Sequence, residues 1–179
     1  PEDKDKFLIE IDPGISFGTG KHETTQLCIR QLLKYIRGDK DFTPNTTAPK
    51  VLDVGCGSGI LSIVALKLGA KEVVGTDLDP DCMTSTHDNM EVNHLDQNLG
   101  TFYIGNLIDD VQLQEKVGTE EYDIVVANIN RNILHADMES FANKLKHNGI
   151  LIVLPNPEIP WFGAYQISKS FILYSDSDN

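Results

Sequence analysis

From Lys50 onward the chain alternates two kinds of apolar pattern. Short, nearly unbroken apolar runs cover residues 51–54, 73–74, 124–127 and 150–154. Each is bounded by Gly, Asp or Asn, as a buried strand is. The spacing predicts strands over 50–55, 72–77, 100–105, 122–128 and 150–154. Between them lie longer segments with apolar residues at helical spacing. These predict helices over about 59–68, 81–94 and 131–147, the first closed by Gly69 as a C-terminal cap residue. Upstream, Leu27, Ile29, Leu32, Leu33 and Ile36 recur at helical spacing and predict a helix over 26–35. Residues 38–49 read as a long loop. The tail after Leu154 offers one clear strand candidate, residues 171–174.

Strand and helix in regular alternation, with strands apolar on both faces, predict an α/β fold. It is a three-layer, Rossmann-like, mostly parallel sheet with helices on both faces. Right-handed crossovers and a binding cleft at the strands' carboxyl ends follow by default. With one strand candidate in the tail, the sheet reads as incomplete at its C-terminal strands. At 179 residues the chain reads as one domain. Residues 1–49 form an N-terminal arm, a covering loop and a first helix; residues 50–179 form the core.

Composition narrows the function classes. The apolar share of 40 % and charged share of 23 % are those of a soluble globular chain. The net charge of −12 argues against a nucleic-acid or anionic-membrane surface as the main partner. A cationic protein partner fits it, and so does plain solubility. Cys28, Cys56 and Cys82 are odd in number and form no C-x-x-C pair. No disulfide framework and no metal site is expected, and the cytoplasm is the expected compartment. No apolar run reaches membrane-spanning length, and no signal peptide is expected.

The chemistry concentrates at the strand ends. Residues 55–59 read Gly-Cys-Gly-Ser-Gly. A dinucleotide fingerprint places its glycines as G-x-G-x-x-G. Here Gly55, Gly57 and Gly59 give G-x-G-x-G, so a pyrophosphate cradle is the poorer reading; residues 53–59 resemble instead the nucleoside-binding loop of class I S-adenosylmethionine-dependent methyltransferases. Asp77 ends the second strand, where a carboxylate can accept both ribose hydroxyls; a cap on the following helix is its structural alternative. Asp53 lies inside the first strand, an awkward place for a carboxylate. A plausible job for it is to orient the N–H groups of the glycine loop. Asn128 ends the fourth strand and faces the cleft, unless it serves an Asx turn or a helix cap. Thr24 or Thr25 could cap the first helix. Phe17 sits between Ser16 and Gly18 on an irregular arm, and His22 follows on the same arm.

These motifs together resemble a known family. The segments are Asp12-Pro13-Gly14, Phe17-Gly18-Thr19-Gly20 with His22-x-Thr24-Thr25, Asp53-x-Gly55-Cys56-Gly57-Ser58-Gly59, Asp77-x-Asp79-Pro80 and Val126-Ala127-Asn128-Ile129. Over about residues 9–153 the chain is similar to the catalytic domain of the bacterial ribosomal protein methyltransferases that act on large-subunit ribosomal protein eleven. The glycine loop alone marks the wider class I methyltransferases. The resemblance implies S-adenosylmethionine as cofactor, contacted by Thr25, Gly55, Asp77 and Asn128, with Phe17 over the methyl-transfer site. It also implies a further N-terminal substrate-recognition domain. The chain departs from the family's pattern at Asn130, where an apolar residue is usual, and in the tail from Pro155.

The expected activity is N-methylation of lysine or α-amino groups on that ribosomal protein. Asn128 would aim the amine, Phe17 cover it, and His22 or solvent take its proton. Other readings are a methyltransferase for another protein or a small molecule, and a non-catalytic domain that binds the nucleoside. Neither direct nucleic-acid binding nor a membrane partner is expected, and the oligomeric state is open.

Overall fold

The computed structural model describes residues 8–12, 23–129, 135–153, 163–168 and 171–174. The elements in chain order are α1 (Glu23–Arg37), β1 (Lys50–Val54), α2 (Ile60–Leu68), β2 (Glu72–Asp77), α3 (Asp81–Val92), a 3-10 turn (Gln97–Leu99), β3 (Gly100–Ile104), α4 (Val111–Val117), β4 (Tyr122–Ala127), α5 (His135–Ala142), β5 (Leu145–Val153), β6 (Gly163–Ser168) and β7 (Phe171–Tyr174). They build one seven-stranded sheet in the order β3-β2-β1-β4-β5-β6-β7. β1 to β5 pair parallel, and β6 and β7 add an antiparallel meander. The sheet is therefore not cut short after β5. Residues 163–168 carry a strand where the pattern gave no signal.

The parallel strands alternate their side chains between two cores. Val51, Ile124, Val126, Ile150 and Ile152 face a cluster shared with α1 and α2. Leu52, Val54, Val125, Leu151 and Val153 face a second cluster that takes in α4 and Phe141 of α5. Burial on both faces is what makes these strands near-continuous apolar runs. Helix α2 buries every residue except Lys67. It is apolar all round because the sheet, α1 and α3 enclose it.

Two helix expectations need correction. Residues 145–149 belong to β5, not to a helix over 131–147; residues 130–134 lie outside the described residues. Leu145 pairs with Tyr122, and Lys146 Nζ sits 2.9 Å from Asp123 Oδ2, so strand contacts override the local helix pattern. Asn148 at φ +62° absorbs the irregular register. In addition, α4 stands where no helix was expected. Its N-cap Asp110 accepts from Leu113 N at 3.0 Å, and Leu113 and Val117 anchor it. Among the described residues no helix is long and apolar enough to cross a membrane.

Candidate active site

Strand register places the site. Val54 of β1 pairs with Thr76 of β2 on one side and Ala127 of β4 on the other. The next residues, Asp77, Gly55 and Asn128, thus stand in one row at the carboxyl edge of three adjacent strands. At about 4.8 Å per strand the row is roughly 10 Å wide.

In its middle the chain turns sharply. Gly55 N and Cys56 N both donate to Thr76 O, at 2.8 and 3.0 Å, and Gly59 N donates to Cys56 O at 2.8 Å. Gly55 (φ +73°) and Gly59 (φ +79°) are left-handed, and neither tolerates a side chain. A Cβ on Gly55 would overlap Ile129 Cγ2, and one on Gly59 would lie 2.5 Å from Thr86 Cγ2. The loop therefore turns with main chain alone at its surface.

Asp77 is tied to this loop. Its Oδ2 accepts from Gly57 N at 2.8 Å, and its Oδ1 accepts from Asp79 N at 3.0 Å. Its own carbonyl accepts from Gly105 N at 2.8 Å. An ionised carboxylate has acceptor sites for about four donors. With two backbone donors and the Cys82 thiol on it, Asp77 keeps acceptor capacity for a ligand hydroxyl. The carboxylate that orients a glycine-loop N–H is thus Asp77, not Asp53.

Asp53 does a different job from the one expected of it. It points to the α1/α2 side of β1 and is 1 % exposed. Its Oδ2 accepts from Ser62 N at 3.1 Å and Ser62 Oγ at 2.7 Å, which holds the first turn of α2. Oδ1 has no hydrogen-bond partner among the described residues. Burial pushes the Asp53 carboxyl up to about 6, opposed by the Ser62 bonds and helped by the charge of Asp77.

Across the row, Asn128 Nδ2 donates to Thr25 Oγ1 at 3.2 Å. Thr25 is buried inside the first turns of α1, not at its cap. This bond uses one of the two donor hydrogens of the Asn128 amide. Phe17 and His22 lie outside the described residues.

The field around the loop is negative. Burial pushes the Cys28 and Cys82 thiols up to about 12, with further upward pushes from Asp53 on Cys28 and from Asp77 on Cys82. Cys56 is driven up by burial, then by Asp53 and Asp77. All three thiols stay protonated at neutral pH and are poor nucleophiles. The same field favours a cationic ligand. A glycine cradle, a carboxylate for a hydroxyl and a negative field fit a nucleoside that carries a sulfonium charge. Among the described residues no group of three or more His, Cys, Asp or Glu is placed to hold a metal ion.

Pattern reading missed the inner face of α3. Thr86, Asn89 and Asn93 are buried there, and Thr86 Oγ1 donates to Gly57 O at 3.0 Å while Asn89 Nδ2 donates to Ser58 O at 2.9 Å. The available signal was their spacing, i, i+3 and i+7, on a helix with few apolar residues.

The chain is similar to known proteins over most of its length. The family described as Ribosomal protein L11 methyltransferase (PrmA) matches residues 1–154. A Ribosomal protein L11 methyltransferase from Agathobacter rectalis is 71 % identical over 152 residues, which are 85 % of this chain and 45 % of that protein. One from Lachnospira eligens is 45 % identical over 152 residues, 84 % of this chain and 45 % of that protein. The crystal structure of a ribosomal protein L11 methylase from Lactobacillus delbrueckii subsp. bulgaricus superposes with a TM-score of 0.67 at 33 % identity, over 86 % of this chain and 69 % of that one. The chain spans about half the length of the curated relatives it matches. A match over residues 1–154 and 71 % identity to one such relative place this chain in the ribosomal protein L11 methyltransferase family.

Proposed function

We propose that this chain is a methyl-transfer unit that uses S-adenosylmethionine to N-methylate lysine or α-amino groups of ribosomal protein L11. The observation that carries the reading is the row Asp77, Gly55, Asn128 at the carboxyl edge of three adjacent strands. The row supports reading Asp77 as a nucleoside anchor and Asn128 as the amine-facing group, on either side of a glycine turn. The substrate follows from the relatives, which are ribosomal protein L11 methyltransferases by name. A ribosomal protein substrate supports a cytoplasmic setting, and the chain's net charge of −12 suits a basic partner.

When bound, the cofactor supplies an electrophilic methyl group on a sulfonium sulfur. The residues of the chain do the rest. Asp77 accepts from a ribose hydroxyl and holds the nucleoside in register with the glycine loop. The loop's main chain lets the ligand approach without a Cβ in the way. The Asn128 carbonyl accepts a hydrogen bond from the incoming amine and aims its lone pair along the line of displacement. The amine must arrive neutral, since an ammonium has no lone pair. A lysine's ordinary pKa of about 10.4 falls when the group is desolvated, so a dry cleft promotes the reactive form. The chain's own part in the transfer is to hold the amine neutral and in line, and His22 or solvent would take the proton it gives up.

The test is a calorimetric titration with S-adenosylhomocysteine, with NAD as the control, followed by methyl incorporation into ribosomal protein L11. Saturable binding of the first ligand alone is expected. Asp77→Ala should abolish that binding. Asn128→Ala should keep binding and reduce turnover. Loss of binding to the same extent in both variants refutes the division of roles. No binding by a folded wild-type chain refutes the cofactor assignment.

A further inference from the structure

The segment 9–12 is held against α3 by side-chain amides rather than by a neighbouring strand. Its odd residues, Ile9 and Ile11, pack on the core shared with α1 and α2. Its even residues present main chain to two asparagines. Glu10 N donates to Asn93 Oδ1 at 3.1 Å, and Asn93 Nδ2 donates back to Glu10 O at 2.6 Å. Asp12 N donates to Asn89 Oδ1 at 2.9 Å. These partners fix which way both amides face, because a backbone N–H can only donate.

Each amide has a second end. Asn93 Nδ2 also donates to Asn89 O at 2.8 Å, and Lys67 Nζ donates to Asn93 O at 3.2 Å. Asn89 Nδ2 donates to Ser58 O at 2.9 Å, and Ser58 lies inside the glycine loop. Asn89 is fully buried, so neither end can exchange its partner for water. One side chain therefore bridges the glycine loop to the arm at Asp12. The loop has little freedom to move independently, since Gly59 packs directly on Thr86 one turn up the same helix.

We propose that Asn89 is a positioning residue that couples the glycine loop to the arm, so that nucleoside binding and arm docking reinforce each other. The inference rests on the cofactor reading above. Ligand that fixes the loop's carbonyls fixes the Asn89 amide, and a fixed amide holds Asp12 N–H. By linkage the same free energy returns to the ligand when the arm is docked. Asn93 supports the arrangement by gripping Glu10 at both its N–H and its C=O.

The test uses the 179-residue chain with S-adenosylhomocysteine as probe, read by calorimetry and by amide hydrogen exchange over residues 8–12. In wild type the ligand should slow exchange of the Glu10 and Asp12 amides. Asn89→Asp keeps an acceptor for Asp12 N but turns an oxygen toward Ser58 O. It should weaken ligand binding about tenfold and abolish the ligand's effect on arm exchange. Asp12→Pro removes the donor and, like Asp12→Ala, the carboxylate. It should weaken binding about fivefold more than Asp12→Ala does. A purely structural role would lower the unfolding midpoint and leave ligand-dependent protection in place. Unchanged affinity in Asn89→Asp, or equal affinities in the two Asp12 variants, overturns the coupling while the cofactor reading stands. Wild-type protein that binds no ligand overturns both.

Discussion

Asp53 makes the stability of this protein depend on pH in an unusual direction. The carboxyl is 1 % exposed, and one oxygen has no partner among the described residues. Burial raises it from 3.8 to about 6 in the folded chain. In the unfolded chain it releases its proton near the ordinary carboxylate value. Between these two values the folded state binds more protons than the unfolded one, so stability falls as pH rises. Below the window both states are protonated; above it both are ionised, and the loss is complete. A shift of roughly two units corresponds to about 3 kcal/mol, of which about 2 kcal/mol falls between about pH 4.5 and 7. Most buried, paired carboxylates depress their pKa and act in the opposite sense.

The perturbation that isolates this effect is Asp53→Asn. The amide keeps the shape and an acceptor for Ser62 but does not titrate. Urea unfolding of both proteins from about pH 4.5 to 7.5 gives two stability curves. Their difference removes every other titrating group. Wild type should lose about 2 kcal/mol relative to Asp53→Asn across that range and nothing further above about pH 7. A constant offset between the curves has no bearing, because the new amide NH2 replaces the orphaned oxygen and shifts both ends equally. Parallel curves, within about 0.5 kcal/mol, would refute the account. Asp53 would then be ionised throughout and satisfied by a group outside the described residues.

Thr25→Val removes the hydroxyl that holds Asn128 Nδ2 but keeps the buried shape. Turnover with ribosomal protein L11 should fall about tenfold with S-adenosylhomocysteine affinity changed less than about twofold, and Thr25→Ser should restore it. Loss of affinity comparable to that in Asp77→Ala would place the hydroxyl on the nucleoside instead. Gly55→Ala combines a left-handed backbone with an overlap on Ile129 Cγ2. It should destabilise the fold by about 2–4 kcal/mol in thermal or urea unfolding, and Ile129→Ala should recover the steric part but leave about 1 kcal/mol of backbone strain.

The parts of this molecule that were legible in sequence share a cause. β1, β4 and β5 are buried on both faces, so their sequences carry an uninterrupted apolar signal; Asn128 was singled out because it follows such a run, and Asp77 because it ends the shorter apolar run of β2. What stayed hidden depends on partners distant in the chain. The strand start at Leu145 is set by Tyr122, and its residues look helical in isolation. Helix α4 is short, and its stability comes from the Asp110 cap and two buried anchors rather than from a long stripe. The Asp53 pairing with Ser62 needs the strand and the following helix placed together. Helix α3 is the sharpest case. Its inner face and C-cap carry Thr86, Asn89 and Asn93, whose polarity leaves no apolar stripe to read. Polar groups can replace an apolar stripe only where each finds a partner. Here the partners are main-chain groups of the glycine loop, the arm and α3 itself. A helix that gives up apolar contacts to hold three backbone segments in fixed relation contributes geometry that apolar side chains cannot supply. That is why its polar inner face, rather than its sparse apolar contacts, marks it as part of the site.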